Sequence, residues 1–251
     1  MNKKIIITTL LYFVMAIPTL AETFLNDVTP IVRFGYNLGG TAPYVLPASI
    51  RSLKCYQFCV NTSIEVNAIK PINKKWSYLS GMRIENKDMV TDAKVKNYHL
   101  AIVQGNYSAA GVYTGNINTQ VRQWVITLPI EASYNVNKLL SVRMGMYGSY
   151  LFSKKFIGSA YNGYLRIGSP IGPKLELGEN EGKRGNYNFT NDMRNFQLGF
   201  ITGFDCHIYH HWGVYADINW GVTGIHRHSF KTIEQTLYPI FGTIGFTYKC
   251  F

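Results

Sequence analysis

The sequence predicts an all-β protein, an eight-stranded antiparallel up-and-down transmembrane β-barrel. Three observations carry this prediction: a removable leader at 1–21, apolar and polar residues that alternate along eight segments, and connections that alternate between short and long. Successive side chains of a strand point to opposite faces, so the alternation gives each strand an apolar wall and a polar wall. In a membrane barrel the apolar wall contacts lipid and the polar wall lines the interior.

The first 21 residues have the features of a secretory signal peptide. Lys3 and Lys4 give a basic start, an apolar stretch follows over 5–17, and Thr19-Leu20-Ala21 provides a small-residue cleavage site. The apolar stretch is shorter than the ~20 residues that a membrane-spanning helix needs. We therefore expect residues 22–251 to form one barrel domain without a transmembrane helix.

Eight segments show the period-two pattern of a strand with one apolar face. In the last of them Ile244 and Phe246 lie on the apolar face, and Thr243 and Thr247 lie on the other. All but the first reach the ~9–11 residues that a tilted membrane strand requires. The predicted strands are 32–38, 56–68, 76–85, 123–134, 140–152, 196–208, 212–222 and 238–251.

The connections between these segments sort by length. The short ones lie at 70–75, 135–138 and 209–211, and the long ones at 39–55, 87–121, 153–195 and 223–237. Short periplasmic turns and long external loops are typical of bacterial outer-membrane barrels. An even number of strands further predicts that both termini are periplasmic.

Composition and charge agree with a membrane barrel. The formal net charge of +11 falls to +9 when the two leader lysines are lost, but the basic residues are scattered, so nucleic acid is not an expected partner. The 18 Tyr, 14 Phe and 4 Trp could supply aromatic rings at both membrane interfaces. The four cysteines have neither metal-ligand nor disulfide-framework spacing, so no metal or cofactor is expected.

The polar faces carry charged residues that we expect in the barrel interior. An eight-stranded barrel is just wide enough for side chains to fill it. Two hypotheses follow, an ion-pair plug or a gated polar path for ions and small solutes. The predicted lumen network consists of Arg33, Glu65, Arg83, Glu85, Glu131, Arg143, Asp205, Asp217 and Lys249.

Two geometric expectations accompany this network. If Tyr134 pairs with Leu140 in the hairpin, Glu131 lies opposite Arg143. Asp205 and Asp217 fall close together in the next hairpin, so one of them should hold a proton unless a base such as Arg143 lies between them.

Several short motifs resemble the small outer-membrane β-barrel proteins of Bacteroidota known as PorT-like or porin-family proteins. They are RFGYN at 33–37, SGMRI at 80–84, LPIE at 128–131, NFQLGF at 195–200 and GFTYK at 245–249. The resemblance implies the barrel fold and allows a role in secretion or surface assembly, because PorT-like relatives are linked to protein export. One departure is Cys250, which precedes Phe251 where the family tail runs Tyr-Lys-Phe.

The function expected from the sequence is non-catalytic: a structural, binding or secretion-associated barrel with a filled polar lumen. One alternative is a narrow passive pore. Another is a loop-borne hydrolase using His226 and His228 with the loop acids Asp88, Asp92, Glu179 and Glu181. The expected partners are outer-membrane lipid and other envelope or secretion proteins.

Overall fold

The computed structural model describes residues 27–57, 59–104, 107–230, 232–233 and 235–250, so the predicted leader lies outside the described residues. Within these ranges there are twelve strands in one sheet. They are β1 (Thr29–Ala42), β2 (Ile50–Gln57), β3 (Thr62–Pro71), β4 (Trp76–Asn86), β5 (Met89–Gln104), β6 (Tyr107–Asn135), β7 (Leu140–Ile167), β8 (Lys174–Leu177), β9 (Gly185–Asn188), β10 (Phe196–Tyr209), β11 (Trp212–Gly221) and β12 (Tyr238–Lys249). In the same part of the chain no helix is long and apolar enough to cross a membrane.

Antiparallel pairing closes part of the sheet into a ring. The chain of pairs runs β1–β3–β4–β6–β7–β10–β11–β12 and returns from β12 to β1. The prediction of an all-β antiparallel barrel is therefore confirmed. The prediction of eight strands in all is wrong, because the described residues contain four more, β2, β5, β8 and β9, off this ring.

The ring has an apolar outer face and a polar inner face. On β1, Arg33 is buried and lies opposite Glu65 of β3, whereas its neighbour Phe34 is 55% exposed and lies opposite Ile64. The same alternation places Phe200 of β10 and Phe246 of β12 on the outside. A band of exposed apolar side chains around a closed sheet can contact the hydrocarbon of a membrane. Closure also leaves no edge strand with unpaired backbone groups within the ring.

The short connections lie where the sequence places them, between β3 and β4, β6 and β7, and β10 and β11. We call this side of the ring the turn end. The long predicted loops are largely wrong. Residues 87–121 contain β5 and the first half of β6, and residues 153–195 contain the second half of β7, β8, β9 and two short 3-10 turns.

The predicted second strand also needs correction. Instead of one strand over 56–68, the chain forms β2 over Ile50–Gln57 and, after a break, β3 over Thr62–Pro71. β3 lies in the ring between β1 and β4, whereas β2 pairs with β5 outside it. Alternation continues across the break in the sequence, which hides the change of partner.

We call the structure beyond the ring the cap: β2, β5, β8, β9, the distal parts of β6 (107–121) and β7 (154–167), and the connecting residues 168–173 and 178–184. β6 and β7 pair along most of their length and so connect the ring to the cap. Asn135 pairs with Ser141 at the turn end, and Gly111 pairs with Ile167 at the far end. The cap and adjoining loops share an apolar core, which includes Val95, Tyr98, Leu100, Ile102, Tyr113, Ile117, Phe156, Leu165, Leu177, Tyr187, Phe189, Met193, Ile225 and Ile233.

Candidate functional site: a buried ion-pair network in the barrel

Three charged side chains form one row across neighbouring strands of the ring. Cross-strand pairing places Arg33 of β1 opposite Glu65 of β3, and Glu65 opposite Arg83 of β4. The Arg83 Nη2 to Glu65 Oε2 distance is 2.7 Å, and the Arg33 Nη1 to Glu65 Oε1 distance is 3.6 Å. Glu65 therefore lies between two guanidinium groups, and it also accepts a 2.6 Å hydrogen bond from Asn67.

Asp205 of β10 connects this row to the opposite wall. Arg33 Nη2 donates to both of its carboxylate oxygens at 3.0 Å, although the two residues are 172 positions apart in the chain. Arg143 Nε of β7 donates to the same carboxylate at 2.7 Å. Two arginines from different walls thus bind one aspartate in the barrel interior.

Asp217 of β11 completes the cross-lumen contacts. Arg83 Nη2 donates to Asp217 Oδ2 at 2.8 Å, and Arg143 Nη2 lies 3.8 Å from the same oxygen. Asn219 adds a 3.1 Å hydrogen bond to Asp217 Oδ1. Arg143 therefore lies within 4 Å of both Asp205 and Asp217, and Arg33 and Arg83 are further bases beside them.

Glu131 and Arg143 are in contact, but the register of β6 and β7 differs from the pairing of Tyr134 with Leu140 that was assumed from the sequence. Tyr134 pairs with Val142, so Arg143 lies opposite Ser133, and Glu131 lies opposite Gly145. The side chain of Arg143 reaches diagonally, and its Nη1 lies 2.7 Å from Glu131 Oε2. The shift arises because the β6–β7 turn is formed by residues 136–139, so Asn135 pairs with Ser141.

Glu85 lies in a separate group nearer the cap. It accepts hydrogen bonds from Thr127 at 2.9 Å and from Asn37 at 3.1 Å, and Lys87 Nζ lies 2.8 Å from it. The Lys87 ammonium also lies 5.5 Å from the centre of the Tyr147 ring.

Sequence reasoning missed Lys87 because it placed this residue at the start of a loop. The sequence offers one indication: if the strand continued past Glu85, Lys87 would point to the same inner face as Glu85. In the structure Glu85, Asn86 and Lys87 are all buried, so the simple alternation ends there.

Lys249 of the predicted set lies apart from these ion pairs. It pairs with Ile31 at the last rung of the β1–β12 ladder, two residues nearer the turn end than Arg33. There it lines a cleft of about 390 Å³ with Lys74, Lys138 and His207. Among the described residues, Lys249 makes no ion pair within 4 Å.

The other charged groups are almost completely removed from solvent. Arg33, Arg83 and Arg143 are 0% exposed, and each touches carboxylates from more than one strand. The interior groups are the cations Arg33, Arg83, Lys87 and Arg143 and the carboxylates Glu65, Glu85, Glu131, Asp205 and Asp217. Burying such ions is tolerable only when they are paired. Each of the three arginines is paired with carboxylates, although Arg33 Nε, Arg143 Nη2 and Glu131 Oε1 have no hydrogen-bond partner among the described residues. Chemically, this arrangement can hold opposite walls together and exclude water.

Of the residues suggested for a hydrolase, His226 and Asp92 make packing contacts, whereas His228, Glu179 and Glu181 are exposed. The His226 ring lies 4.6 Å from that of Phe230 and 4.8 Å from that of Phe156 between centroids. Burial among these rings lowers the pKa of His226 to about 4. Asp92 accepts a hydrogen bond from the Tyr161 hydroxyl inside the cap. These contacts assign His226 and Asp92 to the cap structure.

A family model described as "Outer membrane protein beta-barrel domain" matches residues 31–227 of the chain. A comparison with curated proteins found no match. Among solved structures, Ail, the attachment invasion locus protein of Yersinia pestis, is similar at 8% identity with a TM-score of 0.36, covering 88% of this chain and 97% of that one. The translocator domain of the autotransporter NalP from Neisseria meningitidis is similar at 10% identity with a TM-score of 0.25, covering 96% and 97%.

Proposed function

Because the chain belongs to the outer membrane protein beta-barrel domain family, we propose that it is a non-catalytic outer-membrane barrel whose lumen is closed by its own ion pairs and whose cap binds a partner. The outer membrane location follows from the family. The closed lumen, the binding role of the cap and the orientation of the chain are the proposed parts.

The observation that carries the closed lumen is the burial of Arg33, Arg83 and Arg143. A water-filled path past these side chains would leave their guanidinium groups accessible, yet all three are 0% exposed. Their carboxylate partners come from β3, β6, β10 and β11, so the contacts span the interior from wall to wall. Eight ring strands enclose a space that side chains of this size can fill.

The binding role rests on the cap. Barrel proteins commonly use the segments beyond the membrane for recognition. Here those segments extend the sheet of the ring and have their own apolar core, so they can present a defined surface. The cap also carries exposed apolar side chains, such as Leu53 of β2 and Ile171 between β7 and β8. The motifs resemble PorT-like proteins of Bacteroidota. That resemblance narrows the proposal to a partner involved in secretion.

The orientation is proposed from the same architecture. β1 begins and β12 ends at the turn end of the ring, where Ile31 pairs with Lys249. Short turns of outer-membrane barrels face the periplasm. We therefore place both termini in the periplasm and the cap outside the cell.

Conductance in planar bilayers tests the closed lumen. We expect the wild-type protein to show no steady openings. The variant Arg33→Ala/Arg143→Ala should show them, because it removes two guanidinium groups from the middle of the lumen. Lys174→Ala/Lys183→Ala, which removes two exposed cap cations, is the matched control and should stay closed. Steady openings of the folded wild-type protein would support the passive-pore alternative instead.

A further inference from the structure

Three cations converge where the loop before β10 meets the loop after β11. Lys154 Nζ donates to the Met193 carbonyl at 2.6 Å and to Asn195 Oδ1 at 2.5 Å. Arg194 Nε donates to the His226 carbonyl at 2.7 Å. The two loops are joined there by an isolated β-bridge between Met193 and His226. Arg227 follows directly in the chain.

Arg194 and Arg227 line a cleft of about 650 Å³, which we call the basic cleft. His228, Gln235 and Thr236 add polar groups to its wall. Val222, Phe230 and Ile233 add apolar surface. The cleft therefore has a cationic part and an apolar part.

The described residues that line the basic cleft include two arginines and no acid. Among the described residues, no carboxylate oxygen lies within 4 Å of Lys154, Arg194 or Arg227. The nearby Asp192 presents its backbone carbonyl, which accepts from Arg227 N–H at 2.8 Å. Burial and the charge of Arg227 both lower the pKa of Lys154, so these cations are close enough to repel each other. A bound anion would relieve that repulsion.

The basic cleft lies at the border of the apolar band. Lys154 follows Phe152 by two residues on β7, and Arg194 precedes Phe196 by two at the start of β10. Phe152, Phe196 and Trp220 are exposed on the outer face, and the Phe196 ring packs 5.1 Å from that of Tyr150. Exposed Val222, which lines the cleft, continues the outward apolar face just beyond β11. Aromatic girdles mark the headgroup level of a membrane barrel.

We propose that the basic cleft binds the phosphate group of an outer-leaflet lipid, with Arg194 and Arg227 contacting the phosphate and the acyl chains lying along Val222 and the exposed aromatic face below. Guanidinium groups bind phosphate oxygens through paired N–H donors, which suits arginine for this role. The observation that the cations adjoin lipid-facing side chains selects a membrane lipid over a soluble anion. The assignment to the outer leaflet rests on the proposed orientation, with the cap outside the cell, but the site does not depend on whether the lumen conducts.

Binding of a defined lipid to the full-length protein tests the proposal. The protein is held in micelles of a neutral detergent, and the bound fraction of diphosphorylated lipid A is measured by native mass spectrometry. We expect Arg194→Gln/Arg227→Gln to bind about tenfold more weakly, because each cation near an anionic lipid contributes a separable share of the attraction. Arg194→Lys/Arg227→Lys, which retains both charges, should lose less.

The matched control is Lys174→Gln/Lys183→Gln, which removes the same charge from exposed cap positions and should bind like the wild type. Heat-modifiable mobility on gels reports whether each variant is folded. If the glutamine variant does not fold, the comparison of the lysine variant with the wild type still tests the site. Equal losses in both glutamine variants would overturn the proposal. So would full binding of dephosphorylated lipid A, or displacement of lipid A by inorganic phosphate at equal concentration.

Discussion

Arg143 and Glu131 form a 2.7 Å ion pair even though neither is the other's cross-strand partner. Arg143 lies opposite Ser133, and its side chain extends along the lumen to reach Glu131. The same guanidinium binds Asp205 and lies near Asp217. One side chain thus joins acids from three strands.

We expect Arg143→Met to lower the free energy of unfolding by about 3–5 kcal/mol, because it leaves buried carboxylates without their base. Adding Glu131→Gln to that variant should cost less than Glu131→Gln costs alone, since its partner is already gone. Urea unfolding in lipid vesicles, monitored by tryptophan fluorescence, gives the free energies of this double-mutant cycle. Strictly additive effects would show that the pair is not coupled.

Thiol labelling tests the proposed orientation. Cys55 is exposed on β2 in the cap, whereas Cys206 lies near the turn end and Cys250 follows β12. In intact cells, a membrane-impermeant maleimide should label a variant that retains only Cys55. Variants that retain only Cys206 or Cys250 should label only after the outer membrane is opened. The reverse pattern would place the cap in the periplasm.

His226 should make the cap less stable in acid. Burial lowers its pKa in the folded protein to about 4, from an ordinary value of 6.5. Above pH 6.5 the imidazole is neutral in both states. As the pH falls from 6.5 towards 4 the unfolded state gains the proton first, so stability is lost across that window.

Hydrogen exchange of the segment 222–230, corrected for intrinsic rates, measures this effect at pH 7.5 and 4.5. His226→Phe should remove most of the difference in protection, because Phe keeps the ring contacts and does not titrate. His228→Phe changes an exposed ring and should behave as the wild type. A difference of unchanged size in the His226 variant would assign the acid sensitivity elsewhere.

Phe156→Ala should loosen the cap while leaving the ring intact. The Phe156 side chain is 1% exposed and contacts the rings of Tyr187, Phe189 and His226. Removing a buried Phe typically costs about 3–5 kcal/mol. Limited proteolysis should cut the cap of this variant while a heat-modifiable barrel fragment remains. Ile171→Ala, at a residue 90% exposed, is the control; equal resistance of both variants would contradict a cooperative cap core.

Much of the ring could be predicted from alternation alone. Arg33 and Phe34 are adjacent in sequence and lie on opposite faces, and the short turns follow from the gaps between alternating segments. The part of the cap that β6 forms could not be found this way. Val112 and Tyr113 are consecutive and both buried, as are Asn116 and Ile117, because this part of β6 is covered on both faces. A strand covered on both faces has no period-two signal.

By itself, the sequence determined which residues face inward in the ring and that the inward set carries charges of both signs, since side-chain direction on a strand depends only on parity. Only the tertiary structure decided which acid meets which base. Arg33 and Asp205, 172 residues apart, become partners when β12 pairs with β1, and Lys249 stays outside because the ladder ends there. Ring closure and register are properties of strand pairing between distant segments, and alternation along one strand contains no information about them.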